Sequence, residues 1–269
     1  MIAMMTAIEL NEQLSFDTIG LTTDYPEDEK EQYLKTGLKV ISLFSGAGGL
    51  DIGFEKAGFS IAVAVEADPA CCDTLRTNRP SIPVINEKIE NLSVNDILLK
   101  ANIKPLEAAL VIGGPPCQSF SLAGLRKGLD DERGKLLFEY VRVVREALPF
   151  GFVLENVKGL ENWDSGRAIR LLIDELSKPI DYNGQQYTYT VAKPQVLNAV
   201  DYGVPQFRER VIIVGNRKNL RFSYPQKNSN TPYSNVWSVI GGLPEPEPPS
   251  ETAVRVSKTI KGRRERHGY

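Results

Sequence analysis

Five short runs of β-branched and apolar residues, separated by turns and helix-length stretches, constrain this chain more than any other feature. They are LKVISLF at 38–44, FSIAVAV at 59–65, AALVIGG at 108–114, FGFVLEN at 150–156 and RVIIVGN at 210–216. Strands this continuously apolar are covered on both faces, and spacers of helix length provide the cover. Leu50, Phe54 and Ala57 recur at the spacing of one helix face, as do Leu136, Tyr140, Val143, Val144 and Ala147. The pattern predicts a doubly wound α/β domain on a mostly parallel sheet, and 269 residues at 42% hydrophobic content suffice for its core. We place this domain at 37–225, after an acidic extension at 1–36. A connector, a stiff proline-rich linker at 243–249 and a basic stretch at 255–267 make up the segment 226–269.

Charge and rare residues narrow the chemistry. A formal net charge of -2 means that any nucleic-acid contact is local rather than a matter of bulk charge. Three cysteines, two of them adjacent (Cys71 and Cys72), make neither a disulfide framework nor a zinc knuckle. The single histidine, His267, argues against His-rich metal sites and against hydrolases that depend on an imidazole base. No secretory signal and no apolar run of membrane-spanning length is visible, so we expect a cytoplasmic protein with no membrane partner and no bound metal.

Four segments carry chemistry. The first strand runs into Ser45-Gly46-Ala47-Gly48-Gly49 and then a helix, the place where an open α/β sheet binds a nucleotide-like ligand. Glu66, twenty residues beyond Gly46, ends the second strand, where it can accept hydrogen bonds from ribose hydroxyls. Asp51 stands where a dinucleotide fold has its third glycine, which weakens the case for NAD and leaves room for an adenosyl ligand without phosphates. Taken alone, a glycine-rich turn is as often only a turn. The strand at 108–114 delivers Cys117 into the loop Gly113-Gly114-Pro115-Pro116-Cys117-Gln118-Ser119 at the ligand-binding edge, which suits a nucleophile better than a core thiol. Cys71 and Cys72 read as ordinary helix cysteines. The strand at 150–156 brings Glu155 and Asn156 to the same edge, as a proton donor and hydrogen-bond partner or as a solvated Glu beside a capping Asn. Arg208 and Arg210, two apart on an extended segment, point the same way and can hold a phosphate or a base oxygen, or form surface salt bridges.

In this order the motifs resemble those of the cytosine-C5 methyltransferases that use S-adenosylmethionine, over about 38–218. FSGAGG at 44–49 resembles the cofactor loop, GGPPCQSFS at 113–121 the nucleophile loop, ENV at 155–157 the glutamate motif, and VLNAVDYGVPQFRERVIIVG at 196–215 the arginine motif. The resemblance implies a Rossmann-like methyltransferase sheet and assigns roles residue by residue. Cys117 attacks C6 of a cytosine flipped out of double-stranded DNA, Glu155 binds and protonates N3, and Arg210 with Arg208 holds O2. Phe44, Ser45, Gly46, Gly48, Gly49, Glu66, Ala67, Ile89, Pro115 and Leu136 line the cofactor. Pro116, Gln118, Ser121, Asn156 and Gln206 belong to the substrate side.

Two departures accompany the resemblance. Lys88 stands before Ile89 where the family usually has an acidic residue for the adenine amino group, so adenine contact rests on backbone or is shared with Glu87. After Gly215 the sequence shows neither a target-recognition domain nor the terminal Gly-Asn motif of the family. The expectation is therefore a catalytic subunit that depends on a second chain for recognition, or a truncated form. The resemblance also implies a restriction–modification system, with a cognate endonuclease that is not a physical partner. A tRNA cytosine-C5 methyltransferase, a non-catalytic binding remnant and an NAD-dependent oxidoreductase are the competing readings; the last does not explain Pro116-Cys117-Gln118.

Overall fold

The computed structural model describes residues 37–116, 132–162, 166–227 and 233–243. Strands β1 (Lys39–Leu43), β2 (Ser60–Glu66), β3 (Val84–Asn86), β4 (Leu110–Gly113) and β5 (Gly151–Val157) lie in the order β3-β2-β1-β4-β5. All four of these pairings are parallel. The order reverses between β1 and β4, and such a switch point leaves a crevice at the carboxyl ends of the strands.

Alternation along β1 assigns its two faces. Ile41 and Leu43 enter one core with Val63, Val111, Tyr140, Val144, Phe152 and Leu154, whereas Val40 enters another with Phe54, Ala64, Leu75 and Ile112. Helices α1 (Gly49–Lys56) and α2 (Pro69–Asn78) cover the Val40 face. Helices α3 (Val94–Ala101), α4 (Glu132–Ala147) and α6 (Arg167–Ser177), the last following the short α5 (Gly159–Asn162), cover the other. The expected helix faces are these contacts: Phe54 is buried in α1 with Leu50 and Ala57 packed beside it, and Tyr140, Val143, Val144 and Ala147 are buried in α4. Local chemistry starts the helices. Asp68 accepts the Cys71 N–H at 3.0 Å with Pro69 at the first helical position of α2, and Ser93 accepts the Asp96 N–H at 3.1 Å before α3.

The strand at 210–216 departs from the parallel pattern. β10 (Glu209–Asn216) runs antiparallel to β5, and β8 (Thr190–Val191) and β9 (Gln195–Asn198) pair antiparallel with β10 in turn. The chain between β5 and β10 also forms a separate hairpin, β6 (Ile180–Tyr182) and β7 (Gln185–Tyr187). Its turn is Asn183-Gly184, both at positive φ, the pair that a tight two-residue hairpin favours and that sequence reasoning did not single out. Reversal of the last strand matters for function, because it brings the start of β10 beside the end of β5.

The chain divides into two compact units, one to Tyr233 and one from Ser234, the second containing helix α7 (Val236–Ile240). Among the described residues no helix is long and apolar enough to cross a membrane. The acidic extension, the proline-rich linker beyond Leu243, the basic stretch and His267 lie outside the described residues.

Candidate active site

The glycine-rich loop begins where β1 ends. Phe44 takes φ 54°, Gly46 φ 54° and Gly48 φ 84°, so the chain makes a tight left-handed passage before α1. Glu66, at the end of β2, holds this loop: its Oε2 accepts the Gly46 N–H and its Oε1 the Asp68 N–H, both at 2.8 Å. A Cβ at Gly46 or Gly49 would meet nothing within 4 Å, which leaves that side of the loop open to a ligand. Nearby, Asn86 Nδ2 donates to the carbonyl oxygens of Glu66 and Ala67, at 3.2 and 3.0 Å. Phe44 and Leu136 are half-buried, Ala67 is exposed, and Ile89 and Pro115 are buried. Lys88 is exposed. The Glu87 carboxylate turns back onto its own chain, where hydrogen bonds from the Asn91 side chain and the Lys88 N–H hold it below the usual carboxylate range.

Under the same loop lies a polar cluster that sequence reasoning missed. Ser42, the one polar residue inside apolar β1, donates to Asp51 Oδ1 at 2.5 Å, and Ser45 Oγ donates to Ser42 Oγ at 2.8 Å. Asp51 is fully buried, and its Oδ2 has no hydrogen-bond partner. Burial pushes its carboxyl up to about 6 despite the Ser42 bond. The dinucleotide fold uses a third glycine for close helix–strand contact; here a hydrogen bond from strand to helix takes that place. A signal existed in Ser42 and Asp51, two polar residues where both patterns call for core.

At the switch point, β4 leads into Gly114-Pro115-Pro116, the last described residues before Cys117. A Cβ at Gly113 would come within 2.8 Å of the Leu43 carbonyl, and one at Gly114 within 2.9 Å of Glu155 Oε2. Glycines here let β4 lie against β1 and leave space for the glutamate. Pro116 is exposed, and Cys117, Gln118 and Ser121 lie outside the described residues. Asn156 is buried, donates to the Pro115 carbonyl at 3.1 Å and accepts the Val157 N–H at 2.9 Å, so it ties β5 to the segment that follows β4.

The antiparallel β10 completes the edge. Ile212 is opposite Glu155 and Arg210 opposite Val157, and from there Arg210 Nε reaches to 2.9 Å from Glu155 Oε1. Arg208 lies at 3.9 Å from the same oxygen. The two arginines thus converge on one carboxylate. Asn198 Oδ1 accepts the Arg208 N–H at 2.9 Å and the Arg208 carbonyl accepts the Ala199 N–H at 3.0 Å, which clamps the arginine segment to β9. Gln206 and Phe207 are exposed. Cys72, by contrast, is a buried helix cysteine whose thiol donates to the Glu66 carbonyl at 3.3 Å. One sheet edge therefore carries an open glycine loop held by a carboxylate, and beside it a carboxylate faced by two guanidinium groups.

Comparison with known proteins gives this edge its family. The family of C-5 cytosine-specific DNA methylases matches residues 38–267. The Type II methyltransferase M.AquIA of Picosynechococcus sp. is 55% identical over 246 residues, which cover 86% of this chain and 99% of that protein. The Type II methyltransferase M1.HphI of Haemophilus parahaemolyticus is 40% identical, over 77% of this chain and 53% of its own length. A crystal structure of a prophage-encoded DNA modification methyltransferase from E. coli superposes with a TM-score of 0.63 at 31% identity, covering 78% of this chain and 56% of that one. The chain thus spans almost all of one relative and about half of the other two proteins. A match over most of the chain, a span that includes every strand end of this edge, places it: the chain belongs to the C-5 cytosine-specific DNA methylase family and is a DNA cytosine-C5 methyltransferase.

Proposed function

We propose that the chain methylates C5 of a cytosine flipped out of double-stranded DNA, with S-adenosylmethionine as methyl donor, as a cytoplasmic member of a restriction–modification system. The observation that carries the reading is the convergence of Arg210 and Arg208 on Glu155, on the strand that adjoins the Cys117 loop. The loop fits the cofactor. Gly46 and Gly49 leave open space, and Glu66 spends one hydrogen bond on each oxygen, so each retains a lone pair for a ribose hydroxyl. Buried Asp51 in the first turn of α1 suits a cationic adenosyl ligand and opposes a pyrophosphate. When bound, S-adenosylmethionine supplies a methyl group on a cationic sulfur.

The chain's own residues do the rest. The Cys117 thiolate adds to C6, which makes C5 nucleophilic, while Glu155 delivers a proton to N3 so that negative charge does not build up on the ring. Arg210 orients Glu155 and, with Arg208, holds O2 of the base. Asn156 fixes the root of the Cys117 loop through Pro115. After C5 is methylated, solvent takes up the C5 proton, the freed electron pair expels Cys117 as its thiolate, and N3 gives its proton back to Glu155.

We assign recognition of the DNA sequence to a second chain. The 40% identical relative has nearly half its length unmatched here, whereas M.AquIA is matched over 99% of its length. Transfer of labelled methyl groups from S-adenosylmethionine to mixed-sequence DNA tests both parts, with the chain alone and then with the product of the neighbouring reading frame. Label that appears only with both chains, and not with Cys117→Ser, is the expected result. Full activity of the chain alone on a defined sequence would remove the second chain from the proposal, and no transfer in any combination would sink the activity.

A further inference from the structure

We infer that Asp51 sets the charge preference of the cofactor loop: its buried carboxylate, joined to Ser45 through Ser42, favours a sulfonium ligand over the neutral thioether that remains after methyl transfer. This rests on the cofactor assignment above. The geometry carries it. Asp51 has one oxygen tied to Ser42 and the other without a partner, both inside the protein directly beneath Gly48, whose added Cβ would lie 3.6 Å from Oδ2. In a position with almost no solvent, a carboxylate is poorly screened and acts on whatever charge the loop binds. It does not serve as an ordinary cap either, since the Gly48 N–H donates to the Ser45 carbonyl at 2.9 Å.

The hydroxyl chain gives the carboxylate a second route to the ligand. While Asp51 is ionised it only accepts, so the donors run from Ser45 to Ser42 to Asp51. When Asp51 is protonated the chain can reverse, and Ser45 becomes an acceptor towards Ser42. The proton state of a group under the loop thus changes what a loop side chain offers. Around Asp51 the other charged groups are Glu55 on the same helix and Arg79 at the end of α2, which pair with each other at 2.9 Å, and Glu66 across the loop. The two ligands differ only in methyl and charge at sulfur, so effects of Glu55, Arg79 and Glu66 on their shared groups cancel in the ratio of the two affinities.

The experiment is calorimetric titration of the full chain with S-adenosylmethionine and with S-adenosylhomocysteine from pH 5.5 to 8, for the native protein and Asp51→Asn, with melting curves to establish folding. The expected result is a preference for the sulfonium ligand that weakens about three- to tenfold in Asp51→Asn at pH 7.5. In the native chain the preference should decline towards the same value as pH falls through about 6, while the variant stays flat. A folded variant with the native ratio at every pH would overturn the inference. If Asp51→Asn does not fold, a native ratio that is constant across the range overturns it equally. Binding of neither ligand would instead defeat the cofactor assignment, a distinct outcome that removes the inference with it.

Discussion

Arg210 Nε lies 2.9 Å from Glu155 Oε1 although the two residues stand on strands that run in opposite directions. In a fully parallel sheet the start of one strand and the end of its neighbour occupy opposite edges. Because β10 is antiparallel to β5, Arg210 near its start meets Val157 at the end of β5, and the guanidinium reaches back over the intervening register to the glutamate. The long excursion between β5 and β10, through α5, α6 and the β6–β7 hairpin, is what allows the reversed entry.

Arg210→Ala should therefore reduce DNA methylation by about 100-fold or more, on the scale seen when a single preorganised electrostatic donor is removed from an active site. The side chains of the pair are 22% and 15% exposed, so the expected loss of stability is modest, about 1–3 kcal/mol. Arg210→Lys keeps the charge but has no planar fork for carboxylate and base oxygen together, and should recover only part of the activity. Methyl-transfer rates and urea unfolding of the three proteins check this. Native activity in Arg210→Ala would exclude the arginine from the reaction.

Asn156 makes a separable prediction. Its buried amide bridges the Pro115 carbonyl and the Val157 N–H, and alanine would leave both groups without that partner. The expected cost is about 1–3 kcal/mol in stability, together with a fall in kcat as the root of the Cys117 loop loosens. Cofactor affinity should change far less than kcat, since Asn156 has no hydrogen bond to the glycine loop and reaches the cofactor side only through the Pro115 carbonyl. A large loss of cofactor binding in Asn156→Ala, measured by calorimetry, would contradict this division of labour.

Glu66→Gln tests the other end of the edge. Both carboxylate oxygens accept backbone N–H groups, and an amide can accept only one of them while its NH2 faces the second donor. Cofactor affinity should fall at least about tenfold, equivalent to about 1.4 kcal/mol. The charge of the loop changes as well, so Glu66→Asp is the companion variant: it keeps the charge but shortens the reach to Gly46. Unaltered affinity in both variants would dissociate Glu66 from the cofactor.

How much of this was legible in the sequence depends on whether the signal is local. The apolar runs, the helix faces around Phe54 and Tyr140, and Gly46 before a helix are periodic or short-range patterns, and each appears where the sequence placed it. Strand direction is not local. RVIIVGN reads the same in a parallel or an antiparallel pairing, so the sequence could place Arg208 and Arg210 near a strand start but not beside Glu155. The Ser42–Asp51 bond was half visible, as two polar residues at core positions, yet their pairing depends on how α1 docks on β1. Clamping of Arg208 by Asn198 likewise appears only once β9 pairs with β10.

Asp51 yields the sharpest statement about stability. Its carboxyl is raised from 3.8 to about 6, mainly because burial disfavours the charged form, with Ser42 and Arg79 opposing and Glu55 adding to the rise. Between these values the folded chain holds a proton that the unfolded chain releases, so this group makes stability fall as pH rises, the reverse of a salt-bridged carboxylate. At about 1.36 kcal/mol per pH unit the full penalty is about 3 kcal/mol, absent below about pH 3.8 and complete above about pH 6. Asp51→Asn keeps an acceptor for Ser42 and removes the charge, so it should be more stable than the native protein at pH 8. Its advantage should shrink by about 1–1.5 kcal/mol on going to pH 5. Other carboxylates, such as Glu87 and Asp201, which hydrogen bonds hold below their usual range, push the pH profile the opposite way but are common to both proteins and drop out of the difference. Parallel urea titrations at pH 5 and 8 measure it. A variant no more stable at pH 8, or one whose advantage does not change with pH, would mean that Asp51 is not carried as a buried charge, and its ionised form could then not influence what the cofactor loop binds.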